Sequence, residues 1–323
     1  MTLDVEDRSK LMEAPQTQSP PVSLCSPTPD LTCFGCCPPI RPENYDCLDY
    51  VGSLRREFME NRKLFLESGP VRRPIVGFHC WALGFLDPKG RRVGCLLHPS
   101  RNGGRDLRSL IDYGNKCGRE SCVPAKMFDL LPPEGKRFWL PLARGLSPFH
   151  FSSPRSNPLF HLIPWGPEVL EPLRLLADKM GWSETELVHH HPFLMDPTWT
   201  PKAHRYLFRL VLAAVYHHGN SESPEHLDGS GGDLERHGSE LLRRIVSLPC
   251  AQASPEDLPG RAFTHQLELD GDFLDFLRLG LRWRKASPDE ALRVKKEAEH
   301  LALSLDPHGS PQTTAHGAKH QRV

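Results

Sequence analysis

Cysteine density is the feature that most constrains how this chain can fold. Eight of its ten cysteines lie between positions 33 and 122, starting with the group Cys33-Phe34-Gly35-Cys36-Cys37. Such clustering is typical of either a disulfide framework or metal ligation. The N-terminal residues are acidic and polar and lack the apolar run of a signal peptide, which favours metal ligation. Disulfides and simple packing of small apolar side chains are the alternatives.

Composition narrows the class of protein. Hydrophobic residues make up 38% of the chain and proline occurs 32 times, which predicts that parts of it are loop or disordered. The 40 basic and 40 acidic residues cancel, which argues against nucleic acid as a partner. The longest apolar stretch, residues 207–216, is interrupted by Arg209 and is far shorter than the about 20 residues that span a bilayer. We expect a cytoplasmic protein without a membrane segment.

The pattern predicts an α+β fold, in which a small cysteine-rich, metal-stapled module with a β-hairpin is followed by a mainly α-helical domain. The helical domain is also the expected surface for any protein partner. The predicted divisions are a disordered leader (1–30), the cysteine-rich module (31–130), an aromatic- and proline-rich connection of irregular structure (131–166), the helical domain (167–304) with a flexible loop (219–233), and a disordered tail (305–323).

Within the module, residues 50–68 form a predicted helix with Leu54, Phe58 and Phe65 on one stripe. Residues 106–113 are predicted as a short helix. Residues 75–86 and 91–97 are predicted to pair as a hairpin around a turn at 87–90.

In the hairpin register that a four-residue turn gives, Cys95 faces Ala82 and Cys80 lies on the same sheet face. A turn one residue longer or shorter would instead place Cys80 opposite His98. The sequence leaves this choice open.

Helix-capping signals mark the second half of the chain. Thr200-Pro201 and Ser287-Pro288 are typical helix starts, and Ser183 with Glu186 forms a predicted capping box. The run His189-His190-His191 resembles a metal motif, but its position at a predicted helix end favours an interaction with the helix dipole.

The thiols suit Zn²⁺ or an iron–sulfur cluster, and structural zinc sites combine short pairs such as Cys-x2-Cys from distant segments. Cys33 and Cys36 form such a pair, and we expect them to lie near Cys80 and Cys95. Cys36 and Cys37 are adjacent, so their side chains point apart, and one of them either serves a second metal or only packs. Cys25 and Cys250 are expected to be free thiols. The predicted ligands are Cys33, Cys36, Cys37, Cys80, Cys95, Cys117 and Cys122, with His98 and Cys47 as further candidates.

These motifs resemble a bacterial cysteine-rich family described as a zinc- or iron-chelating domain. The resemblance covers residues 31–122 and rests on Cys33-x2-Cys36-Cys37, on the segment from Cys80 to Gly90, on Gly94-Cys95-Leu-Leu-His-Pro99, and on the two late cysteines. It implies metal chelation and no particular reaction.

Three functions follow as hypotheses. The first is a metal-binding protein whose cysteine cluster holds zinc or an iron–sulfur centre. The second is an enzyme whose metal is catalytic or redox-active, which requires an open coordination position or an exposed cluster edge. The third is a zinc-stapled module for binding another molecule.

Overall fold

The structure is a computed structural model, and it describes residues 22–28, 31–37, 46–75, 80–111, 117, 122–218, 232–252 and 258–305. It has an α+β fold with short antiparallel strand pairs among many helices. The chain divides into two compact units, Met1–Val188 and His189–Val323. No helix in these described ranges is long and apolar enough to cross a membrane.

The first long helix, α1 (Tyr50–Ser68), has the predicted bounds. The carboxylate of Asp49 accepts the backbone N–H of Gly52 at 3.0 Å and so caps its first turn. The predicted stripe of Leu54, Phe58 and Phe65 is buried. This face packs against strand β1 (Leu83–Phe85).

The strand pair is shorter than predicted and has the alternative register. Strands β1 and β2 (Val93–Cys95) are antiparallel, and Cys95 lies opposite Leu83, not opposite Ala82. The carboxylate of Asp87 explains the shift, because it accepts the backbone N–H groups of both Arg91 and Arg92, at 3.1 and 2.7 Å. Asp87 thereby closes a three-residue loop that ends at Gly90, whose φ of +65° suits glycine.

Two other local predictions for the first unit differ from the structure. The predicted helix at 106–113 is a three-residue 3-10 turn, Arg108–Leu110, in the part that is described. The connection at 131–166, predicted as irregular, contains short helices, because its prolines occupy first turns, where a missing N–H costs nothing. Helices α2 to α7 are Val123–Leu130, Pro133–Trp139, Pro148–Phe151, Leu159–Leu162, Pro167–Met180 and Glu184–His190.

The second unit is built around the long helix α8 (Pro201–His218), which begins at the predicted position. It packs against helix α9 (Gly232–Ser247), α10 (Gly271–Asp275) with its π-helical continuation to Gly280, and α11 (Pro288–Leu303). A two-residue strand pair, β3 (Ala262–Phe263) and β4 (Lys285–Ala286), precedes α11.

Several predicted segments lie wholly or partly outside the described residues. They are positions 1–21 and 29–30 of the leader, 219–231 of the internal loop and 306–323 of the tail. Residues 22–28, which the sequence assigns to the leader, carry a turn with a bridge between Ser23 and Ser26, and Leu24 is only 1% exposed.

Candidate functional site

Eight thiols lie in two neighbourhoods of the first unit. We define the core thiol set as Cys37, Cys80, Cys95 and Cys117, and the outer thiol set as Cys25, Cys33, Cys36 and Cys122. Within each set, the ionised form of every member is repelled by that of another member. A hydrogen bond between the thiols of Cys36 and Cys37 joins the two sets, so these adjacent side chains do not point apart as predicted.

The core thiol set borders one apolar cluster. Cys80 is a buried member of this cluster, and the other three cysteines of the set pack against the cluster. These four residues come from separate parts of the chain: the first knot, the residue before the β1 turn, the end of β2 and position 117. Long-range packing, not sequence proximity, therefore creates the set.

Polar side chains hold the backbone around the core thiol set. The amide of Asn61, on the buried face of α1, donates to the carbonyl of Cys80 at 3.3 Å and to that of Leu83 at 2.9 Å. The guanidinium of Arg108 donates to the carbonyl of Cys117 at 2.7 Å, and Asp106 pairs with the same guanidinium. These contacts position two of the four cysteines from outside the set.

Burial and mutual repulsion raise the pKa values of the core thiols. The pKa of Cys95 is raised to about 12, first by burial and also by the neighbouring thiols of Cys80 and Cys117. The backbone amide of Leu97 and the Arg108 cation act in the opposite sense. The pKa of Cys80 is also raised, mainly by burial. A hydrogen bond with Cys36, followed by burial, raises that of Cys37. Cys37, Cys80 and Cys95 are therefore protonated at neutral pH unless a cation is present.

The outer thiol set surrounds the turn that carries Cys33 and Cys36. The backbone N–H of Cys33 donates to the carbonyl of Cys25 at 3.0 Å. Within the turn, the N–H of Gly35 donates to the Cys33 sulfur at 3.3 Å. Cys122 immediately precedes α2 and is its N-terminal cap residue.

The outer thiols have raised pKa values for the same reasons. Cys25 is exposed as a residue, yet protein atoms surround its thiol. This burial, followed by the neighbouring thiols of Cys33, Cys36 and Cys122, raises its pKa to about 12. Burial raises the pKa of Cys33 to about 11, although the Gly35 amide and Ser152 oppose the rise. Burial also raises the pKa of Cys122, and the backbone amide of Ala125 offsets part of this rise. The Cys122 side chain makes no capping hydrogen bond to α2.

His98 and Cys47, the two further ligand candidates, occupy different positions. Burial and then the Arg108 cation lower the pKa of His98, so its imidazole is neutral at pH 7, as a metal ligand must be. Cys47 is exposed just before the N-terminus of α1 and belongs to neither set as defined here. Cys250 lies in the second unit, beyond α9.

The predicted grouping of Cys33 and Cys36 with Cys80 and Cys95 stays a prediction. Cys36 and Cys122 act on the ionisation of Cys33, and Cys80 and Cys117 act on that of Cys95. Cys37 links the two groups, because it hydrogen-bonds Cys36 and its ionisation also responds to Cys80 and Cys95. In the part of the chain that the structure describes, no three His, Cys, Asp or Glu side chains converge tightly enough to hold a metal ion as they stand. None of the ten cysteines, all of which are described, is in a disulfide.

Sequence reasoning missed three residues of these neighbourhoods. Cys25 was assigned to a disordered leader, although it precedes Cys33 by only eight positions and extends the first knot. Asn61 is a polar residue on the apolar stripe of α1, and that position is the signal that it hydrogen-bonds to a buried partner. Arg108 carried no local signal, because its contact with Cys117 depends on the path of the chain.

The chain matches no protein-family model, no curated protein and no solved structure. The resemblance to the cysteine-rich chelating family thus stays a prediction that rests on the quoted motifs.

Proposed function

We propose that this chain is a metal-binding protein and that its core thiol set holds a zinc ion or an iron–sulfur centre. The observation that carries the proposal is that four cysteines from separate segments border a single apolar cluster. Four thiolates are a complete ligand set for structural Zn²⁺ and also for a cubane or rhombic iron–sulfur cluster. Neutral His98, near the same Arg108 cation, is an additional nitrogen donor in this neighbourhood.

The electrostatics of the core thiol set gives a reason for it to bind a cation. Four thiolates in a buried neighbourhood repel one another and lose hydration, so the set ionises only when positive charge compensates it. A bound divalent cation supplies that charge, and each ligating thiol releases its proton to solvent. The cation would draw the four sulfurs together, because ligands at about 2.3 Å from one zinc lie within about 4 Å of each other.

The proposed benefit of the metal is a stapled fold. Strands β1 and β2 have only three residues each, and a two-stranded pair is at best marginally stable alone. Metal binding contributes about 10–16 kcal/mol in zinc-finger peptides, which is enough to fix such a region. A reducing compartment such as the cytoplasm would keep the thiols available for the metal.

Elemental analysis after anaerobic, chelator-free purification tests this proposal. We expect metal in the wild-type protein and a loss of about one ion or cluster per chain in Cys80→Ser, whose side chain is in the core thiol set. Cys250→Ser is the matched control and should retain the full content, because Cys250 lies in the other unit. A wild-type protein without metal would refute the proposal.

The visible spectrum separates the metal-dependent enzyme from the structural zinc protein. An iron–sulfur protein is coloured, with sulfur-to-iron charge-transfer absorption near 400 nm, whereas a zinc protein is colourless. A reversible change of this absorption on reduction would favour redox chemistry over a structural role.

A further inference from the structure

Positive charge collects at the turn between β1 and β2. Lys89, Arg91 and Arg92 follow one another around Gly90, and Lys89 and Arg91 are exposed. The buried carboxylate of Asp87 fixes this turn, because it accepts the backbone N–H groups of all three cationic residues, at 3.0, 3.1 and 2.7 Å in chain order. The three cations are therefore carried on a backbone that is held in one conformation.

A fourth cation reaches the same turn from helix α1. The Arg55 guanidinium lies over the Phe85 ring, 5.5 Å from its centroid. Its Nη2 atom would lie 3.7 Å from a Cβ placed on Gly90, which puts the guanidinium against the turn itself. Stacking on an aromatic ring uses the face of a guanidinium and not its N–H edge. We define the cationic turn as Arg55, Lys89, Arg91 and Arg92.

Neighbouring carboxylates do not cancel the charge of the cationic turn. Asp87 adjoins Arg91 and Arg92, but the Nε–Oδ distances of 3.9 and 3.8 Å are too long for hydrogen bonds. In the described part of the chain, Arg55 and Lys89 form no ion pair with a carboxylate. One carboxylate is thus paired with a set of four cations, a local excess that the balance of 40 basic and 40 acidic residues over the whole chain hides.

The chemistry of the cationic turn fits phosphodiester groups. Three of its four cations are arginines, whose planar guanidinium matches two oxygens of one phosphate. Residues 87–92 include no large apolar side chain that could fill a pocket on a protein or enter a bilayer. Protein partners usually contribute buried apolar anchors beside their ion pairs. A nucleic-acid backbone, in contrast, is bound largely through Lys and Arg contacts to phosphate.

We infer that the cationic turn is a docking surface for the phosphate backbone of a nucleic acid. Its four cations would displace condensed counterions, so the binding is electrostatic and independent of base sequence. The inference goes beyond the proposed metal-binding function and does not depend on which metal is bound.

Fluorescence anisotropy of a labelled short DNA duplex, titrated with the full-length protein at several salt concentrations, tests the inference. Four phosphate contacts predict that the logarithm of the association constant falls against log[salt] with a slope of about −3.6, a loss of about 100-fold in affinity between 50 and 200 mM salt. Lys89→Gln/Arg91→Gln removes two exposed cations and leaves the backbone contacts of Asp87 in place. Its slope should be about −1.8.

Arg137→Gln/Arg243→Gln is the matched control. It removes the same formal charge from two exposed arginines that already pair with Glu134 and Glu240, at 2.9 and 2.8 Å, and its slope should equal that of the wild type. Unfolding midpoints of both double variants reveal any folding defect. If the test variant is destabilised, Arg55 decides: Arg55→Gln should make the slope shallower by about 0.9, while Arg55→Lys keeps the charge and the slope.

Three results would overturn the inference. The first is a wild-type protein that does not bind the duplex, or a slope that the test variants leave unchanged. The second is a preference for phosphatidylserine vesicles over the duplex, which would identify a membrane surface to which Val51 and Met59, exposed one turn before and after Arg55 on α1, contribute. The third is displacement of the duplex by inorganic phosphate but not by sulfate at equal ionic strength, which would identify a site for a single phosphate.

Discussion

The region that carries the thiols, residues 22–122, and the unit that follows Val188 are held together by different kinds of contact. In the first region, side chains reach across to backbone carbonyls, as Asn61 does to Cys80 and Asn102 does to Leu96 and His98. In the second unit, aromatic rings stack against long helices, such as Phe193 on Phe208 of α8 with centroids 4.0 Å apart.

This difference indicates which region can depend on a metal. In the second unit, Asp270 and Ser287 cap α10 and α11, and the helices share a packed aromatic core, so we expect this unit to be stable without a ligand. The thiol region has short strands, and its buried cysteines repel when ionised. A cation therefore has more to contribute to the thiol region than to the second unit.

The largest effect should come from breaking the aromatic core of the second unit. Phe208 is fully buried, stacks on Phe193 and meets Trp199 edge to face. Phe208→Ala should lower the free energy of unfolding by about 3–5 kcal/mol and leave the metal content unchanged. Urea denaturation and elemental analysis check both parts. Leu292→Ala, at a position that is 41% exposed, is the control and should cost about 0.5 kcal/mol or less.

Acid should weaken the second unit through His191. Burial, and then the neighbouring His190, lowers the pKa of His191 to about 4. In the unfolded chain this imidazole takes up its proton at about pH 6.5, whereas in the folded chain it does so only near pH 4. The free energy of unfolding should therefore decrease as the pH falls from about 6.5 to 4, by at most about 3 kcal/mol. Urea denaturation at several pH values should show this slope in the wild type. His191→Leu should flatten the slope, and an unchanged slope would refute the assignment.

Loss of the Asn61 side chain should weaken the thiol region and leave the second unit unchanged. Asn61→Ala leaves the carbonyls of Cys80 and Leu83 without this donor, and an unsatisfied buried group costs about 1–3 kcal/mol. We expect weaker zinc retention against a competing chelator and unchanged hydrogen exchange in α8 and α11. Glu60→Ala, at the neighbouring exposed position of α1, should behave as wild type.

The smallest effect should come from one helix cap. The Ser287 hydroxyl accepts the N–H of Glu290, whose carboxylate in turn accepts the N–H of Ser287. Ser287→Ala should destabilise the second unit by about 1 kcal/mol, while Ser287→Asp should retain most of the stability. Equal losses in the two variants would show that the cap is not the cause.

The contrast between the regions also explains how much of the fold could be predicted from sequence. Helix α1 has the predicted bounds, and α8 and α11 begin at the predicted positions, because caps and apolar stripes are local signals. The β1–β2 register could not be fixed, because it depends on whether the Asp87 carboxylate closes the turn. The short helices after residue 131 were not predicted, because a proline-rich composition favours irregular structure although proline also suits the first turn of a helix.

The candidate site was predictable in composition and not in arrangement. Cysteine clustering alone identified seven of the eight thiols that form the two sets, since density along the chain is visible in the sequence. The division between the sets depends on long-range packing of Cys80 and Cys117 and on the return of residues 22–28 to Cys33. No local pattern encodes those contacts.

Hydrogen exchange of the intact protein, with and without a strong chelator under anaerobic conditions, tests the central claim most directly. If metal staples the thiol region, chelation should abolish amide protection in α1, β1 and β2 and leave α8, α9 and α11 protected. The same protection in both regions before and after verified metal removal would contradict the account.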